Sequence, residues 1–181
     1  NIKDYSNNKG NIIGICGGLQ MLGTILEDPF LKEGATINSD KVTMGIGLLP
    51  LKTTFLQKKI TRQIKSKSMW PCSTEINGFE IHSGVSSLDK DQNTSKIKSI
   101  FSDSNLGWYK ESNGGGLIAG TYIHGIFEND SWRTKYLNLI RENKNIPKLD
   151  KTKSYKIKRE LIIKNLADEF NKHLNISSLL N

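Results

Sequence analysis

The stretch that most restricts the fold is "GNIIGICGGLQMLG", residues 10–23, in which a short apolar run ends in a cysteine followed by two glycines. Ile12, Ile13 and Ile15 read as a buried strand, because a β-branched run this short suits a sheet interior. The glycines allow a sharp turn. From Leu19 onward, Leu22, Ile25 and Leu26 recur at helical spacing until Pro29 ends the pattern. A strand that turns directly into a helix is a building unit of α/β folds.

The rest of the chain alternates in the same manner. Pro29 to Asp40 is irregular, and "VTMGIGLLPLKTTFL" has the β-branched content and glycine punctuation of strands joined by turns. "STEINGFEIHSG" predicts a hairpin turning at Asn77-Gly78, a favoured two-residue turn. Ser83 to Lys98 and "KESNGGG" (residues 110–116) read as surface loops. "LIAGTYIHGIF" reads as a buried strand opening into a loop, and "SWRTKYLNLIREN" as a helix carrying Trp132, Tyr136, Leu137 and Ile140. After the connector "NIPKLDKTKSYK", the tail predicts an amphipathic helix with Leu161, Leu166 and Phe170 among charges. The expectation is an α/β fold whose largely buried central sheet includes some antiparallel strands.

At 181 residues one domain suffices for the whole chain, residues 1–181. The net charge of +8 raises the question of an anionic partner. Its lysines are scattered, without an aromatic-interleaved basic stripe, so the expectation is a solvated surface and no nucleic-acid partner. No run reaches the ~20 apolar residues that cross a bilayer, and the first ten residues lack a signal-peptide core. No membrane partner and a cytoplasmic location follow as expectations. The chain opens at Asn1 rather than Met, which predicts the C-terminal part of a longer polypeptide.

Cys16 and Cys72 form neither a CxxC pair nor a disulfide framework, and His82, His124 and His173 are too widely spaced for a local zinc motif. No metal site is expected. Cys16 has two local readings. It is a small buried hydrophobe, or it is a nucleophile lifted clear of the sheet on a strand-to-helix turn, where the positive end of the helix dipole favours a thiolate. In the second reading Gly14, Gly17 and Gly18 supply unusual backbone angles and room, and the Gly17 N–H faces a developing oxyanion. Such a cysteine needs a base, and His124 stands where an apolar strand opens into a loop. Its alternative is a half-buried histidine bonded to backbone. Glu80 and His82 alternate along "FEIHSG", so on a strand they share a face and could pair; the alternative for His82 is a solvent-facing edge position. His173 reads as ordinary surface.

Taken together and in order, "GICGGLQMLG", "GIGLLPLKTTF", "NGFEIHSG" and "GTYIHGIFEND" resemble the glutamine amidotransferase domain of the cobyric acid synthase family, and "LADEFNKHLNISSLLN" resembles its closing helix. The resemblance implies a class I, triad-type amidotransferase fold, with helices flanking a central mostly parallel or mixed sheet. It implies Cys16 as nucleophile and His124 as base, with Gln20, Gly17 and Gly18 binding substrate glutamine and its oxyanion; Glu80 and His82, paired by their alternation, could serve as auxiliary residues. Ammonia released from glutamine would pass to a synthetase domain, outside this chain, that binds ATP, Mg²⁺ and a corrinoid. This chain has no GxxxxGK phosphate loop of its own. Nearby alternatives are the glutaminase of cobyrinic acid a,c-diamide synthase and an amidotransferase-like interaction domain without turnover.

Several positions depart from the wider pattern. Ile126 stands where many class I enzymes carry a glutamate two residues after the histidine, leaving Glu80 as a weak candidate for orienting His124. Leu19 and Ser83 replace a common aromatic residue and methionine. Only one strand precedes Cys16, which predicts an N-terminally truncated sheet with an exposed edge, one oxyanion donor fewer, and little activity for the chain alone.

Overall fold

The computed structural model describes residues 1–32, 41–113 and 115–173. The chain divides into two compact units, Asn1–Ile126 and Phe127–Asn181. Among the described residues no helix is long and apolar enough to cross a membrane.

The first unit opens with helix α1 (Ile2–Asn7), whose N-cap Asn1 accepts the Asp4 N–H at 3.1 Å. Strand β1 (Ile12–Ile15) follows and leads through Cys16 into helix α2 (Gly17–Leu22). The helix ends at Gly23, not at Pro29 as the spacing of Ile25 and Leu26 predicted. Those two residues lie in strand β2 (Ile25–Glu27), parallel to strand β4 (Leu51–Ser68) with Ile25 opposite Lys52. Ladder partners on β4 override a helical spacing that spans under two turns. At the exit, Gly23 lies so close to β4 that a Cβ there would stand 2.6 Å from the Leu51 carbonyl.

Strand β3 (Val42–Met44) pairs antiparallel with β2, and β4 runs antiparallel to strand β5 (Thr74–Leu88) as a long ribbon, with a register shift between Phe55 and Ile60. The predicted hairpin at Asn77-Gly78 is absent. β5 runs straight through it, with Asn77 opposite Lys65 and Gly78 opposite Ile64, and it continues to Leu88 through residues expected to begin a loop. Strand β9 (Ile123–His124) completes this sheet, in the order β3-β2-β4-β5-β9.

A second sheet has the order β1-β8-β7-β6, from strands β6 (Lys98–Ser99), β7 (Gly107–Glu111) and β8 (Leu117–Thr121). β1 and β8 are parallel, and the other pairings in this sheet are antiparallel. The α/β class with mixed strand directions therefore holds, distributed over two sheets rather than one. Helix α2 touches strands of both, and its Leu19 and Leu22 join Leu49, Leu51, Trp108, Ile118 and Tyr122 in one buried cluster. Burying such side chains stabilises the unit by about 1.5–3 kcal/mol each.

The second unit holds helices α3 (Asp130–Asn143) and α4 (Tyr155–His173). Trp132 and Tyr136 of α3 are buried and stacked at 5.1 Å, and Phe127 meets both edge-on. The Asp130 carboxylate accepts the Tyr155 N–H at 2.9 Å and an Arg133 guanidinium N–H at 2.7 Å. The backbone donor first, and then Arg133, hold its pKa below the usual carboxylate value. On α4, Leu161, Leu166 and Phe170 are exposed. The tail beyond residue 173 and the greater part of the irregular stretch Pro29–Asp40 lie outside the described residues.

Candidate active site

Cys16 occupies the turn between β1 and α2 with φ 53° and ψ −112°. A left-handed φ on a residue with a Cβ is a strained conformation, of the kind found where a nucleophile is presented on a strand-to-helix turn. The unusual angles fall on Cys16 itself, not on Gly14, Gly17 or Gly18 as expected. Gly17 and Gly18 are helical and open at their Cβ positions. Gly14 instead allows close packing: a Cβ there would stand 2.5 Å from the Gly18 carbonyl carbon. The N–H groups of Gly17 and Gly18 belong to the first turn of α2, which leaves them without intrahelical acceptors.

The turn is tied to both sheets. The Cys16 N–H donates to the Thr121 carbonyl at 2.8 Å, and its thiol donates to the Ile81 carbonyl at 3.3 Å. Thr121 also fixes the break between β8 and β9. Its hydroxyl donates to the Leu106 carbonyl at 2.9 Å and accepts the Ile123 N–H at 3.0 Å. His124 follows directly, opposite Phe79 of β5. Phe79 precedes Ile81 by two residues, about 7 Å along a strand. Cys16 and His124, 108 positions apart in sequence, thus meet the same short segment of β5. Both also lie just past the C-terminal ends of the adjacent parallel strands β1 and β8, the usual place for a site in an α/β sheet.

His124 is partly buried, and its Nε2 is fully buried with no hydrogen-bond partner among the described residues. A buried polar atom left in this state carries a penalty of about 1–3 kcal/mol, which a reacting group can offset. Gly78 makes room for it: a Cβ there would stand 2.4 Å from the His124 carbonyl oxygen and 2.5 Å from Ile123 Cγ2. The glycine read as a turn former is required for close approach of β9. Ile126 is fully buried.

Gln20 is buried on α2, and its Nε2 donates to the Tyr122 hydroxyl at 3.4 Å. It lies against Gly84, where a Cβ would stand 2.6 Å from Gln20 Nε2. The Tyr122 hydroxyl also bonds Ser86 Oγ at 2.7 Å, and Ser86 bonds Thr53 at 2.6 Å. Burial pushes the Tyr122 pKa up, more than these hydroxyl and amide partners lower it. Tyr122, Ser86 and Thr53 escaped the sequence reading, although Glu80, His82, Gly84 and Ser86 recur at period 2 on one face of β5.

Glu80 and His82 pair as their alternation predicted, with Nε2 2.8 Å from Glu80 Oε1. The edge position considered for His82 does not hold, since the ring is buried. Glu80 does not orient His124: Oε1 faces His82, and Oε2 accepts the Arg62 Nε–H at 2.5 Å. Cys72 lies on the β4–β5 connection, and His173 is exposed at the end of α4 beside Glu169. Among the described residues no group of three or more His, Cys, Asp or Glu side chains could hold a metal ion.

The family model for the CobB/CobQ-like glutamine amidotransferase domain matches residues 1–132, which include every site residue above. Cobyric acid synthase of Prochlorococcus marinus subsp. pastoris (strain CCMP1986 / NIES-2087 / MED4) is 73% identical over 181 residues, covering 99% of this chain and 36% of that protein. The cobyric acid synthases of strains MIT 9312 and NATL2A are 68% and 46% identical, again over 99% of this chain and 36% of theirs. The chain spans about a third of the length of the curated relatives it matches.

Proposed function

The chain belongs to the family of CobB/CobQ-like glutamine amidotransferase domains, and from that membership we propose that it hydrolyses glutamine, with Cys16 as nucleophile and His124 as base. The observation that carries this reading is the strained Cys16 turn, bonded to the same β5 segment that pairs with His124, a histidine whose buried Nε2 has no partner among the described residues. Cys16 Sγ attacks the side-chain amide carbon of glutamine while its proton passes to His124 Nε2. The carbonyl oxygen becomes an oxyanion facing the N–H groups of Gly17 and Gly18. The C–N bond then breaks, His124 returns the proton to the departing nitrogen, and ammonia leaves a glutamyl thioester on Sγ. Water adds to the thioester carbon, giving its proton to His124; glutamate departs, and the proton returns to the thiolate.

Gln20, with its amide against Tyr122, forms the floor of the glutamine pocket. Residues 1–181 act as one glutaminase domain. The relatives' name and length support a place in a longer cobyric acid synthase of cobalamin biosynthesis. There the ammonia would reach a synthetase domain that uses ATP and Mg²⁺ to activate side-chain carboxylates of adenosylcobyrinic acid a,c-diamide.

Cys16→Ser in the intact enzyme tests the assignment. Glutamine-dependent amidation should fall at least 10³-fold, on the order of other nucleophile losses, while amidation from added ammonium salt stays at the wild-type rate. Equal loss of both rates would show that Cys16 is not the glutaminase nucleophile.

A further inference from the structure

His82 has no part in the bond-making steps above, yet its ring is buried and held at both nitrogens. Nδ1 lies 2.6 Å from the Gly84 carbonyl oxygen, which can only accept, so Nδ1 carries a hydrogen. Nε2 lies 2.8 Å from Glu80 Oε1, also an acceptor when ionised. One proton is therefore shared across that contact, on the imidazole or on the carboxyl group. Arg62 closes the far side of Glu80. The ring is clamped at both nitrogens and stacks on Tyr122 with centroids 3.7 Å apart and planes 20° apart.

Along the chain, Tyr122 stands between an anchor of the Cys16 turn and His124. Its preceding residue, Thr121, accepts the Cys16 N–H, and His124 follows two positions later. On β5, the residue before His82 is Ile81, the acceptor of the Cys16 thiol. One ring thus braces both segments that hold Cys16 and the one that carries His124.

We propose that His82 is a positioning residue for glutamine hydrolysis, with the Glu80–His82–Gly84 clamp pressing its ring on Tyr122 so that Cys16 and His124 keep their mutual geometry. The proposal rests on the glutaminase reading above. It requires the hydrogen bonds of the clamp, not the charge on Glu80. In Glu80→Gln the amide N–H can donate to a bare Nε2 while Nδ1–H still meets Gly84, so the clamp survives. In Glu80→Leu it cannot.

The test measures glutamine-dependent and ammonia-dependent amidation by the intact enzyme carrying His82→Phe, Glu80→Leu or Glu80→Gln. His82→Phe and Glu80→Leu should lower the glutamine-dependent kcat about 10²-fold, the scale of a small misplacement of reacting groups. KM for glutamine and the ammonia-dependent rate should change little, and Glu80→Gln should recover kcat to within a few-fold of wild type. Wild-type kcat in His82→Phe, or equal loss in Glu80→Gln and Glu80→Leu, overturns the positioning role. Should His82→Phe fail to fold, the two Glu80 variants decide alone. Cys16→Ser measured alongside separates the two readings: retention of its glutamine-dependent rate removes the glutaminase assignment, whereas its loss beside fully active His82 and Glu80 variants removes only the positioning role.

Discussion

Cys16 concentrates the conflict between stability and chemistry in one residue. Its φ of 53° is a region that glycine enters freely and a Cβ opposes. Strain of this kind costs about 1–3 kcal/mol and persists only where surrounding contacts enforce it. For Cys16 they include the bonds from its N–H to Thr121 and from its thiol to Ile81. Cys16→Gly should therefore be more stable than Cys16→Ala by about 1 kcal/mol or more in urea unfolding, with both inactive toward glutamine. Equal midpoints would mean that the turn is relaxed. The sequence disclosed that this cysteine was flanked by glycines, but it pointed to the wrong residues for the unusual angles. Glycine permits a positive φ without demanding it, and the actual angle follows from how β1 must rise into α2.

At the scale of elements, the two-residue strand β9 depends on its neighbour for its position. It pairs at Phe79↔His124 and Glu80↔Ile123, and Gly78 gives its backbone room to approach β5. Gly78→Ala should push β9 outward, since overpacking a close contact typically costs about 1–3 kcal/mol. The predicted outcome is a fall in glutamine-dependent kcat larger than the fall in unfolding midpoint implies, with ammonia-dependent activity retained. An unchanged kcat would show that β9 can yield without moving His124. The same glycine shows why element boundaries were only partly legible. "NG" signals a turn when its flanking segments pair with each other. In this chain those flanks pair with β4 and β9 instead, so one uninterrupted strand is favoured. Helix α3 was legible because Trp132, Tyr136, Leu137 and Ile140 repeat at helical spacing over about two turns.

At the scale of the whole molecule, pH acts through groups whose burial differs between folded and unfolded chains. Burial raises the pKa of Tyr122, and that of Tyr109, where Glu111 adds to the effect. A raised tyrosine pKa means that the unfolded chain loses its proton first. The stabilising contribution is complete below the unfolded value of about 10 and declines as pH rises through the folded pKa. The slope is at most about 1.4 kcal/mol per pH unit for each tyrosine. Urea midpoints should accordingly fall as pH rises past about 10, and Tyr122→Phe, less stable at neutral pH because Ser86 and Gln20 lose a buried partner, should show a shallower decline. An unchanged slope in that variant would exclude Tyr122 as a source of the pH dependence.

The order of amino acids alone established the α/β class, the strand-turn-helix around Cys16, the pairing of Glu80 with His82 through strand alternation, and the motifs that identify the amidotransferase family. These are matters of local spacing and residue chemistry, which a linear chain displays directly. Folding of the whole unit settled that the strands divide between two sheets, that Ile25 and Leu26 leave the helix for β4, and that Glu80 turns to Arg62 and His82 rather than His124. Tyr122 became visible as the centre of the site for the same reason. Each of these outcomes is a competition among partners distant in sequence for the same hydrogen bonds and the same space, and only packing the whole unit resolves it.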